Sequence, residues 1–163
     1  MKRILTAIDF SDVTDEVIHT ATKLAQQFGA RLRILHTELP HPVFLSYGIE
    51  VTAVQDDYAE RLQQDARKLE MIQEHLAHCG VQAECSVLTG STLLCILDQA
   101  RSFAADLIVV GTHSHGTLRH LFLGSVREDL IARAPCPVLV VPRLKSVVEP
   151  APAPEREAAE AMA

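Results

Sequence analysis

Apolar positions along this chain follow two alternating rhythms. Short runs rich in Val, Ile and Leu fall at 3–9, 31–37, 81–88, 105–111 and 135–142 and predict five strands. Between them, apolar residues recur every three or four positions, the period of one helix face. Val17, Ala21, Leu24, Ala25 and Phe28 form the first stripe, with Ser11 or Asp12 placed to cap it and Gly29 to close it. Val54, Tyr58, Leu62, Leu69, Ile72 and Leu76 form a longer, core-facing stripe that ends at Gly80, behind a loop carrying Pro40, Pro42 and Gly48. After the turn "TGST", Leu93, Ile96, Leu97 and Ala100 mark a third helix, and 125–134 a short fourth. Strands separated by helices imply right-handed crossovers, so the pattern predicts a doubly wound α/β domain: a five-stranded parallel sheet with helices on both faces. "ADLIVVG" at 105–111 is apolar almost throughout, as expected for a central strand covered on both sides.

The pattern stops near residue 144. Residues 144–163 alternate Pro and Ala and then turn Glu/Ala-rich, which predicts a flexible tail behind a domain of residues 1–143. With 163 residues, 48% of them apolar, the chain can bury a core without metals or disulfides. Cys79, Cys85, Cys95 and Cys136 show no CxxC spacing and read as reduced thiols, partly core fillers. No run approaches the roughly 18 apolar residues of a membrane span. "MKRILTAIDF" reaches Asp9, with Asp12 close behind, before any signal-like stretch develops, so the expectation is a cytoplasmic protein. A net charge of −6 without Lys/Arg runs argues against nucleic acid or an anionic membrane as partner.

Candidate chemistry lies at two strand ends, where ligands of open α/β sheets bind. The first strand runs into Asp9, followed by Ser11. The fourth ends at Gly111, followed by "THSHGTLRHLFLGSV". Gly124 and Ser125 open a helix there, offering unpaired N–H groups, a hydroxyl and the positive dipole end, a combination suited to a phosphate. Neither GxxxxGK[ST] nor GxGxxG is present, so the glycines alone leave an ordinary strand–loop–helix junction equally open. His113, His115 and His120 offer imidazoles, but a His-x-His loop without a further ligand at suitable spacing assigns no metal site. His36 reads as a satisfied core or rim histidine. Asp9 and Ser125 lack the partners a catalytic base or nucleophile needs, so no catalytic residue is assigned.

"ILTAIDFSD", "RILH", "ADLIVVGTHSHG" and "LFLGSVREDLIARAPCPVLVV" together resemble the universal stress protein family, in order, across residues 1–143. The resemblance implies a sheet of order 3-2-1-4-5, a dimer, and in many members bound ATP. The family's nucleotide-binding pattern is a glycine, two residues, a second glycine, nine residues, then Gly-Ser or Gly-Thr. Gly111 and Gly124-Ser125 match it at the correct spacing, whereas Ser114 stands in the place of the second glycine. By that correspondence Ala7, Ile8 and Asp9 face the adenine and ribose, and Thr37 borders the base. Val110 and Gly111 lie beside the ribose, His113 and Ser114 near the phosphates, and Gly124, Ser125 and Val126 along the phosphate chain. Mg²⁺ or Mn²⁺ would accompany a triphosphate without a dedicated protein cage.

In that sheet order the last strand is an edge. Its apolar stretch, Pro137 to Val141, invites antiparallel pairing with a second copy, which predicts a homodimer. Two functions follow. The first is an ATP-binding regulatory module that shows an unidentified regulatory protein partner a nucleotide-dependent surface, with slow hydrolysis at most. The second, favoured by Ser114, is a stress protein that binds no nucleotide and works through dimerisation and partner binding.

Overall fold

The computed structural model describes residues 1–39, 51–112 and 125–143, with the backbone alone at 51–57 and 125–127. Its elements run β1 (Arg3–Ile8), α1 (Thr14–Phe28), β2 (Arg31–Glu38), α2 (Val51–His78), β3 (Ala83–Thr89), α3 (Thr92–Ser102), β4 (Leu107–Gly111), α4 (Ser125–Arg133) and β5 (Val138–Val141). The five strands form one sheet of order β3-β2-β1-β4-β5, every neighbouring pair parallel. The expected architecture and strand order are both found. The proposed tail, 144–163, lies outside the described residues.

Alternation along the strands divides the core into two layers. Ile4 and Ile8 of β1, Leu32 and Ile34 of β2 and Val109 of β4 face Val17 and Ala21 of α1 and Leu69 and Leu76 of α2. Leu5, Leu35, Ile108 and Val110 point the other way, toward Ile96, Leu97 and Ala100 of α3 and Leu130 of α4. Arg33 shares this second face: its guanidinium lies 4.3 Å from the Phe103 ring centroid and pairs with Glu84 at 2.7 Å. The charged atoms thus reach the sheet's margin while the stem covers apolar surface.

Local chemistry corrects several boundaries. Neither Ser11 nor Asp12 is the cap residue of α1; that position belongs to Val13, which makes no side-chain cap bond. The Ser11 hydroxyl turns back to Asp9, its carbonyl accepts the Thr14 N–H, and Asp12 pairs with Arg143 at 2.6 Å. Gly29 ends the helix in the left-handed region (φ 57°), as its lack of a Cβ allows. β3 starts two residues later than expected because the Val81 N–H is used on the Leu76 carbonyl to close α2. β4 likewise starts late: the Ala105 N–H bonds Ala100 to finish α3. Asp106 then accepts the Lys2 and Arg3 N–H groups, which hold its carboxyl below the usual aspartate range and tie the start of β1 to β4.

One core position carries a polar atom without a partner. Thr6, fully buried on the face it shares with Ile4 and Ile8, has a hydroxyl with no hydrogen bond among the described residues. A buried hydroxyl left unsatisfied is costly, and valine has the same branched shape. Thr6→Val is therefore expected to raise the free energy of unfolding by about 1 kcal/mol. Urea denaturation measures this; a loss of stability would show that the hydroxyl is bonded.

Candidate functional site

Strand order reverses at β1, whose neighbours lead in opposite directions through the chain. At such a switch point the loops leave in opposite directions and open a crevice at the carboxyl ends of the strands. The cleft found there is floored by Ala7, Ile8 and Asp9 from the end of β1, Thr37 from β2, and Val110 and Gly111 from β4. All six were expected at the site. Its walls were not: Val13, Thr14 and Val17 come from α1, and Thr92 and Ile96 from α3. Thr92, within "TGST", was visible only as part of a turn, while Val17 was read solely as part of the first helix's apolar stripe.

Asp9 is fixed by its own corner. One carboxylate oxygen accepts both the Ser11 hydroxyl at 2.6 Å and the Ser11 N–H at 3.2 Å, an aspartate turn that closes the chain on itself. The turn drives Phe10 to φ 56°, a conformation that costs a non-glycine residue on the order of 1 kcal/mol. Packing offsets this: the Phe10 ring sits 4.6 Å from that of His36, and the Lys68 ammonium lies 4.6 Å from its centroid. His36 in turn donates from Nδ1 to the Ile8 carbonyl at 3.0 Å, so the histidine is satisfied as expected.

The opposite wall is joined by a hydroxyl pair. Thr37 Oγ1 and Thr92 Oγ1 are 2.7 Å apart, linking the end of β2 to the first turn of α3. Thr14, in the first turn of α1, is 7% exposed, and its hydroxyl has no partner among the described residues. A polar atom buried at a cleft without a partner is suited to a polar ligand. The cleft therefore combines apolar walls, one oriented carboxylate and an orphan hydroxyl, which suits a ligand carrying both apolar and hydrogen-bonding groups.

Gly111 serves packing as well as the site. A Cβ there would lie 2.5 Å from Val13 Cγ1 and 3.0 Å from Val17 Cγ2, so α1 reaches the end of β4 only because residue 111 has no side chain. Ser125 and Val126 occupy the first turn of α4, as the sequence predicts, and their N–H groups lack helical partners by geometry. His113, Ser114 and Gly124 lie outside the described residues.

The sequence model of the universal stress protein family matches residues 1–142. A universal stress protein from Thermus aquaticus is 37% identical over 142 residues, covering 86% of this chain and 98% of that protein. Among solved structures, hypothetical protein MJ0577 of Methanocaldococcus jannaschii superposes with a TM-score of 0.69 at 25% identity, covering 89% of this chain and 98% of that one. More distant structures of the same fold include an Arabidopsis thaliana family protein with AMP bound (TM-score 0.62, 18% identical, 88% and 93% of the two chains). An Archaeoglobus fulgidus protein in complex with dAMP is similar (TM-score 0.61, 20% identical, 86% and 98%).

Proposed function

The chain belongs to the universal stress protein family, and from that premise we propose that the cleft at the β1–β4 switch point binds an adenine nucleotide, ATP in particular. In this reading the protein is a homodimeric regulatory module, its surface read by a regulatory protein partner. The observation that carries it is the convergence of Ala7, Ile8, Asp9, Thr37, Val110 and Gly111 on one cleft whose polar atoms are already oriented. Two distant structures of this fold described with AMP or dAMP support the ligand class.

Each residue has a part set by its chemistry. The apolar walls, Ile96 among them, would exclude water from an adenine, while Thr37 borders it. Asp9, acceptor-only when ionised, suits ribose hydroxyls. Gly124, Ser125 and Val126 would supply backbone N–H groups to phosphate oxygens at a helix start, with His113 and Ser114 beside them. A divalent ion, Mg²⁺ or Mn²⁺, would neutralise a triphosphate when bound.

The dimer rests on β5. Among the described residues that strand pairs with β4 alone, and its Leu139 is 36% exposed. A second copy would satisfy the open backbone groups and cover the leucine.

The experiment is direct. Freshly purified protein is denatured and any released nucleotide identified, then ATP with Mg²⁺ is titrated into stripped protein, with sedimentation of the same samples. Expected are co-purified adenine nucleotide, a dimer, and an affinity at least about ten-fold weaker in Asp9→Ala, the loss of one charge-assisted hydrogen bond. Gly124→Asp, which sets a carboxylate against phosphate, is expected to lose binding. Ser114 in place of a motif glycine favours the second reading. Failure to bind ATP at millimolar concentration, with the dimer intact, would move the function to the dimer surface.

A further inference from the structure

Helix α2 carries a charge in its core stripe. Leu62, Asp65, Leu69, Ile72 and Leu76 follow at three- and four-residue steps, and Asp65 is only 8% exposed. A carboxylate placed there costs several kcal/mol unless it is compensated. Lys68 bonds one of its oxygens, Oδ1, at 2.8 Å. The other, Oδ2, points to His36 of β2, 3.5 Å from Nε2. Glu38, two residues along β2 and so on the same face, brings Oε1 to 3.3 Å from the same nitrogen.

The tautomer is fixed from behind. The Ile8 carbonyl can only accept, so its 3.0 Å partner, Nδ1 of His36, carries the hydrogen. Nε2 of a neutral ring then presents a lone pair to two carboxylate oxygens, three acceptors facing one another. That arrangement calls for a cation between them. The spacings discriminate which: 3.3 and 3.5 Å exceed the roughly 2.7–2.9 Å of charge-assisted N–H···O bonds. The two edges that meet at Nε2 match the roughly 3.3–3.6 Å ligand-to-ligand edge of a tetrahedron with bonds of about 2.0–2.2 Å. All three donor atoms lie within 4.8 Å of one another. An imidazole whose other nitrogen donates to a backbone carbonyl is also the usual support of a metal-bound histidine.

We propose that His36 Nε2, Glu38 Oε1 and Asp65 Oδ2 form a zinc site, with Lys68 keeping Asp65 monodentate and water completing the tetrahedron. The donor set, one nitrogen and two carboxylates, suits Zn²⁺. Entry is from the Glu38 side, where the side chain is 26% exposed against 6% for His36. This site lies on the α1/α2 face of β2, whereas Thr37 points to the nucleotide cleft, so the proposal stands independently of nucleotide binding.

The test uses the full chain stripped of metal and without nucleotide. Zn²⁺ titrated calorimetrically is expected to bind at one per chain, and Co²⁺ to give the intense visible bands of tetrahedral coordination. Asp65→Asn and His36→Gln should each weaken Zn²⁺ by at least about ten-fold. Glu38→Gln, at a partly exposed position, should do so without lowering the thermal transition of the stripped protein, since its amide can donate to Nε2 where the carboxylate could not. A His113→Gln/His115→Gln double variant should bind as the parent does. Absence of Zn²⁺ binding, weak six-coordinate Co²⁺ bands, or binding lost only in the loop variant would each overturn the proposal, leaving a second ring proton as the bridging cation.

Discussion

Leu97→Ala is expected to lower the free energy of unfolding by about 2–5 kcal/mol, whereas Leu94→Ala, one turn back on the same helix, should stay within about 0.5 kcal/mol. Both remove the same atoms from α3. Leu97 is fully buried among Ile96, Ala100 and the β1–β2–β4 face, while Leu94 is 51% exposed. Truncating Leu97 loses the transfer free energy of its side chain and leaves a cavity between a helix and a sheet that cannot close independently. The cost is a large share of the roughly 5–15 kcal/mol by which a domain of this kind is stable. Urea denaturation of both variants decides it. Equal losses would mean that α3 is not seated on the face described.

This contrast was legible beforehand, since Leu93, Ile96, Leu97 and Ala100 share a helical face from which Leu94 departs. Strands were legible for the same reason: period two against period three to four survives any tertiary arrangement. Where the chain changes direction, the reading was weaker. Ser11 resembles a cap, but Asp9 competes for its hydroxyl, and the competition is settled by a turn that puts Phe10 in a left-handed conformation no propensity favours. The floor of the cleft was readable because strand ends in an open sheet converge by topology. Its walls were not, since Thr14, Thr92 and Ile96 reach it only through how α1 and α3 lie on the sheet. The cluster of His36, Glu38 and Asp65 was missed for that reason also, because α2 returns across β2. A trace did exist in the sequence: an aspartate three residues after Leu62 and four before Leu69, interrupting an otherwise apolar stripe.

Gly111→Ala is expected to cost about 1–3 kcal/mol of stability, the usual range for overpacking, although the position looks from sequence like a glycine kept clear for a ligand. The added methyl would sit 2.5 Å from a γ-methyl of Val13 and 3.0 Å from one of Val17. Valine in or beside a helix has little χ1 freedom, so neither neighbour can rotate away and α1 must shift instead. Val13 is 1% exposed, which leaves no solvent side to move toward. A double variant separates the two roles. Val13→Ala removes the clashing methyl, so Gly111→Ala/Val13→Ala should be more stable than the sum of the single effects predicts by about 1 kcal/mol, within the range seen for residues in contact. A glycine serving only ligand approach would show no such coupling, and Gly111→Ala would leave the urea midpoint unmoved. With coupling present, ATP titration of the double variant reads the remaining role: restored packing with weakened binding means that the same missing Cβ lets α1 reach β4 and leaves the cleft open beside them.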